Sequence, residues 1–182
     1  TKTSIVLTQA ASVSDTLEVI AYDVASMDDS ISESNGGTFQ ADVTFADGAD
    51  IITASKGTDN VRLGEDAGAS IASGGDNNVT IGKDAGTAIT TGSNNTVVGH
   101  DAGAAITTGT VNTFVGNLAG DATTTSHHNT GIGHQALTTN VLGSNSVAVG
   151  SFALNSQNPA SATDMYNTAV GADALLTCDG SN

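Results

Sequence analysis

The sequence predicts an all-β fold. Its main body reads as an elongated parallel β-solenoid, or β-roll, preceded by a small β-rich N-terminal region. Three observations carry this. A motif recurs about every 17 residues, small residues hold fixed places within it, and large side chains are scarce: aromatics are only 3% of 182 residues, against 22 Gly. A compact globule of this length fills its core with large side chains. A stack of thin layers does not need them, because each layer is closed by its neighbours.

The repeat is explicit. Asn60-Val-Arg-Leu-Gly64, Asn78-Val-Thr-Ile-Gly82, Asn95-Thr-Val-Val-Gly99 and Asn112-Thr-Phe-Val-Gly116 are followed by Asn129-Thr-Gly-Ile-Gly133, Ser146-Val-Ala-Val-Gly150 and Asn167-Thr-Ala-Val-Gly171. The closing glycines, Gly64, Gly82, Gly99, Gly116, Gly133, Gly150 and Gly171, are spaced 18, 17, 17, 17, 17 and 21 residues apart. The last interval holds a short insertion with Pro159. Three residues after each glycine stands an alanine: Ala67, Ala85, Ala102, Ala119, Ala136, Ala153 and Ala174. The next position is Gly68, Gly86, Gly103 and Gly120 in the first four copies and Leu137, Leu154 and Leu175 in the last three.

Each copy opens with a short β-branched segment, which predicts a strand ending at the glycine. The residue before the glycine is always apolar (Leu63, Ile81, Val98, Val115, Ile132, Val149, Val170) and is expected to face inward. The residue before that one alternates to the other face. It is polar first (Arg62, Thr80) and apolar or small later, so Val97, Phe114, Ala148 and Ala169 are expected to form an interface between three copies of the chain. Segments such as Ile89-Thr-Thr-Gly92 and Ile106-Thr-Thr-Gly109 predict a second short strand per coil. The Asn column, Asn60 to Asn167, predicts a stacked amide ladder.

Upstream, residues 1–24 read as a β-hairpin closing a small β-domain, from Ser4-Ile-Val-Leu-Thr8 and Thr16–Val24. Residues 25–58 read as a linker, with a short helix capped by Ser26 and strands at Gly37–Phe45 and Ala49–Thr53. Residues 59–182 are the seven-copy repeat region. The chain begins at Thr1 without Met, and is expected to be a processed chain or part of a longer one.

Composition bounds the function. Four Lys and Arg against 19 Asp and Glu give a formal charge of −15, which disfavours binding to a phosphate backbone. No apolar run approaches the roughly 20 residues of a membrane helix, so membrane insertion is not expected. A lone cysteine, Cys178, makes no internal disulfide.

The candidate chemistry is sparse. Asp66, Asp84 and Asp101 occupy one repeat position, where stacking would set them about 4.8 Å apart. Solvation of these surface carboxylates, with Lys83 nearby, is the expected reading and no cofactor is assigned; a cation near them is the alternative, without a Ca²⁺-loop signature to support it. His100 and His134 share another position but lie two coils apart, too far to share an ion within one chain. His127-His128 reads as an exposed turn. Carboxylates such as Glu65 and Asp84 could be nominated for polysaccharide cleavage, but each follows the repeat rather than breaking it. No catalytic residue is assigned. Adjacent Thr pairs such as Thr90-Thr91 present only one hydroxyl outward per coil, which disfavours ice binding.

The segment Ser146-Val-Ala-Val-Gly-Ser-Phe-Ala153 resembles the repeat of trimeric autotransporter adhesin heads, whose period is shorter than the one here. Ser4–Val24 and Gly36-Gly-Thr-Phe39 to Val43-Thr-Phe45 resemble stretches of tail-fibre proteins from marine and cyanobacterial phages. The resemblance implies a homotrimeric, elongated virion appendage in host attachment, with other tail proteins and a host receptor as partners. The runner-up is a trimeric adhesin head on a bacterial surface.

Overall fold

The structure is a computed structural model, and residues 56–177 are described. The expected hairpin at 1–24, nearly all of the 25–58 linker and Cys178 lie outside the described residues. Within them there is no helix. The strands are β1 (Val61–Leu63), β2 (Val79–Ile81), β3 (Thr96–Val98), β4 (Thr113–Val115), β5 (Thr130–Ile132), β6 (Gly143–Ser144), β7 (Val147–Val149), β8 (Thr163–Asp164) and β9 (Thr168–Val170). Seven of them form one parallel sheet in the order β1-β2-β3-β4-β5-β7-β9. Equivalent repeat positions pair without slippage, as in Val97↔Phe114 and Ala148↔Ala169. Parallel strands need a crossover, and here the crossover is the rest of each coil. The described region is therefore a β-solenoid.

The reference glycine turns the chain out of the strand. Gly99 has φ +134°, and a Cβ there would lie 2.5 Å from the Gly116 carbonyl oxygen in the next coil. Backbone conformation and stacking both exclude a side chain. Successive tight turns follow: Ala102 N–H donates to Gly99 O (3.3 Å), Ala104 N–H to Asp101 O (3.4 Å) and Ile106 N–H to Gly103 O (3.1 Å). Asp101 and Gly103 take positive φ within this run. Neighbouring coils are tied at the same corner, where Gly103 N–H donates to Ala119 O at 2.9 Å.

The second strand expected in each coil does not form as a continuous ladder. Only β6 and β8 pair on that side, beside the insertion. Elsewhere the return arm is held by spaced bonds, such as Thr90 N–H to Thr107 O at 2.9 Å and Thr90 Oγ1–H to the same oxygen at 3.1 Å. Thr90, Thr107 and Thr124 are thereby engaged with the next coil, while Thr91, Thr108 and Thr125 are exposed; in the last pair Thr138 Oγ1–H bonds back to Leu118 O and the exposed Thr139 bonds forward to Asn155 O.

The expected facing of the strands is inverted. Val97, Phe114, Ala148 and Ala169 are buried within the chain's own coils, not presented to a partner. The residues expected inward point out: Leu63, Ile132 and Val170 are 49%, 40% and 71% exposed. Strand parity is the reason. Asn95 and Val97 are two residues apart and share a face. The Asn column is buried, so the strand centres are buried with it.

The core is a narrow column with a volume exchange along it. In the early coils Ile71, Ile89 and Ile106 pack beside the buried alanines. Phe114 then fills the space left by two glycines: a Cβ on Gly120 would meet its ring at 2.5 Å, and one on Gly131 at 2.9 Å. In the next coils the strand centres shrink to Gly131 and Ala148, and the wholly buried Leu137 and Leu154 supply the volume. Those leucines take positive φ (56° and 48°) at positions where earlier copies have Gly. That strain, of order 1–2 kcal/mol each, is offset by burial of a full Leu side chain, about 1.5–3 kcal/mol.

Candidate functional site

The most extended surface feature is the outer face of the seven-stranded sheet. Its first column is Val61, Val79, Thr96, Thr113, Thr130, Val147 and Thr168, and its second is Leu63, Ile81, Val98, Val115, Ile132, Val149 and Val170. Each has some exposure, and none carries charge. At about 4.8 Å per coil the aliphatic column runs roughly 29 Å. Isolated exposed aliphatics need no explanation, whereas a continuous apolar stripe on an acidic molecule is a candidate interaction surface.

The corner after the glycine is polar in the early coils. Lys83 Nζ lies 2.9 Å from Glu65 Oε2 and 3.5 Å from Asp84 Oδ2. These contacts raise the Lys83 pKa, the Glu65 hydrogen bond contributing most. The pairs are exposed and add little to stability. One coil on, His100 Nδ1 lies 3.0 Å from Asp101 Oδ2, and Asn117 Nδ2 lies 3.2 Å from the same nitrogen. One ligand atom each from Asp84, His100 and Asp101 lies within 4.8 Å of the others. Asp66, expected with this group, is exposed and outside it. His134 instead meets Phe152 edge-on, with ring centroids 5.0 Å apart. His127 and His128 are exposed, as the sequence predicts.

Asp121 is the odd carboxylate. Its Oδ1 is buried without a hydrogen-bond partner, and burial raises its pKa against the opposing backbone N–H groups of Ala122 and Asp121, with Asp101 adding repulsion in the same direction. Sequence reasoning passed over it because alanine and threonine hold that position in neighbouring copies.

The Asn column is an internal ladder. Asn95 Nδ2 donates to Asn78 Oδ1 (3.1 Å) and to Gly109 O (2.9 Å), and Asn95 Oδ1 accepts from Asn112 N–H (3.0 Å) and Asn112 Nδ2 (3.1 Å). Where Ser146 interrupts the amides, the buried Gln157 completes the network. Its Nε2 donates to Ser146 Oγ (3.0 Å), and its Oε1 accepts from Asn167 Nδ2 (2.8 Å). These amides are saturated from within, which fits a structural role.

No protein-family model, no curated protein and no solved structure matches the chain. Among the described residues, no helix is long and apolar enough to cross a membrane.

Proposed function

We propose that the chain is a structural, non-enzymatic segment of a virion tail fibre, a stiff rod in which three copies associate in parallel for host attachment. The observation that carries this is the outward aliphatic column from Leu63 to Val170, unbroken over seven strands. Burying it between copies removes apolar surface from water at about 25 cal/mol per Å². The number three comes from the resemblance to adhesin heads and tail fibres. The burial pattern supports a contact along this column in place of the Val97/Phe114 face, which is buried within the chain.

Internal strength fits a load-bearing rod. Each coil is bonded to the next through the sheet, the amide ladder and the return arm. The acidic surface keeps rods apart in solution. Weak contacts with a host receptor would act together through avidity across three chains. Other tail proteins would be the partners on the virion. A trimeric adhesin head of a bacterial surface would use the same geometry, and a gene neighbourhood without tail genes would favour it.

The test is a cysteine at Val98 in a Cys178→Ser background. Mild oxidation should link copies through Val98→Cys and leave Thr91→Cys, on the exposed return arm, unlinked. Equal linking at both positions, or none at Val98→Cys, would remove the interface from this face.

A further inference from the structure

The stacking register brings an imidazole and two carboxylates from adjoining coils to one corner. Asp84 belongs to the coil of β2, and His100 and Asp101 to that of β3. Their place is fixed by backbone bonds, with Asp84 N–H on Glu65 O (2.9 Å) and Asp101 N–H on Lys83 O (3.1 Å). Both aspartates take the left-handed conformation, φ 57° and 54°, which directs them alike. We propose that Asp84, His100 and Asp101 form a binding site for a divalent cation of the Zn²⁺ class, which clamps these two coils together.

The geometry suits it. His100 Nδ1 and Asp101 Oδ2, 3.0 Å apart, have the separation of two adjacent ligands each about 2.1 Å from a shared ion. The widest ligand spacing allowed here, 4.8 Å, exceeds the ~3.4 Å between tetrahedral ligands of one ion, so binding requires the three side chains to draw together. One nitrogen and two carboxylate oxygens suit Zn²⁺ or its first-row neighbours better than an all-oxygen ion such as Ca²⁺. Asn117 Nδ2, beside Nδ1, also lies 3.4 Å from the His100 carbonyl oxygen, so it has a second partner when the ion takes the ring nitrogen.

Two carboxylates, Asp84 and Asp101, meet at this corner. Lys83 stands beside Asp84, and its shorter contact is to Glu65. A bound dication supplies the missing positive charge.

The test is calorimetric titration of the intact chain with Zn²⁺ alone, beside His100→Gln, Asp84→Asn and a His127→Ala/His128→Ala control. One equivalent should bind per chain. His100→Gln and Asp84→Asn should each weaken binding roughly tenfold or more, with unchanged circular dichroism, and the control should leave it intact. No binding at millimolar Zn²⁺, affinity unchanged in His100→Gln, or affinity lost only in the control would overturn the site. The outcome is independent of the fibre proposal, which is tested by association of copies.

Discussion

Phe114 and Gly131 sit one above the other in adjoining coils, paired in register, and a Cβ on Gly131 would come within 2.9 Å of the Phe114 ring. The two positions share one volume. Gly131→Val should therefore destabilise the chain by about 1–3 kcal/mol through overpacking. Phe114→Ala should cost about 3–5 kcal/mol through the cavity it leaves. The double variant should be more stable than the sum of the two losses, because each change relieves the other. Urea unfolding of the four proteins measures this coupling. Strict additivity would show that the two sites do not share the space.

Within the amide ladder, Asn95→Ala removes the acceptor of Asn112 N–H and the donor to Gly109 O. Both groups are then stranded in a buried site, at about 1–3 kcal/mol each. The expected loss is about 2–5 kcal/mol, with faster amide exchange at Asn112. A loss under 1 kcal/mol would show that water or a neighbour replaces the amide.

The glycines differ in what they tolerate. Gly99→Ala meets both a positive φ and a carbonyl oxygen at 2.5 Å, so it should unfold the coil or cost several kcal/mol. Gly74, at φ +95°, has nothing within 4 Å of a Cβ. Gly74→Ala should cost only the backbone strain, about 1–2 kcal/mol. Thermal unfolding of the pair separates stacking from conformation.

Asp121 predicts a pH dependence. Its folded pKa is raised above the ordinary 3.8, chiefly by burial. The folded state therefore holds the proton more tightly than the unfolded chain. This contribution favours folding below pH 3.8 and is lost as pH rises through the folded value. Asp121→Asn should stabilise the chain at pH 7, and the gain should shrink on acidification. Unfolding midpoints of both proteins at pH 7 and near pH 3.5 measure it. A gain that does not change with pH would point to a cause other than ionisation.

The repeat, the glycine and alanine columns, the parallel stacking and the amide ladder were all legible in the sequence, because each rests on positions that recur in register. The facing of the strands was not. The apolar residue before Gly99 looks like core, yet strand parity ties Val97 to Asn95, and a buried ladder at Asn95 settles which side is inside. That signal stood in the sequence two residues upstream of the strand centre in six of the seven copies, with Ser146 in the other. The second strand of each coil failed for another reason. Ile89-Thr-Thr-Gly92 has β-forming residues, but the turns before it leave room only for isolated bonds to the next coil. The association of Asp84 with His100 was obscured because the two belong to different repeat positions and meet only across a coil boundary. Gln157, outside the Asn column altogether, could be found only once Ser146 was seen to leave a gap.

The solution mass of the intact chain, by light scattering at low concentration, tests the exposed aliphatic face most directly. A mass near three times 17.9 kDa is expected, falling toward 17.9 kDa when Val98 and Val115 are both replaced by Lys. A stable 17.9 kDa monomer for the unaltered chain would contradict the trimeric rod. The flat Thr-and-Val face would then be free to bind an external surface, and thermal hysteresis would be the next measurement.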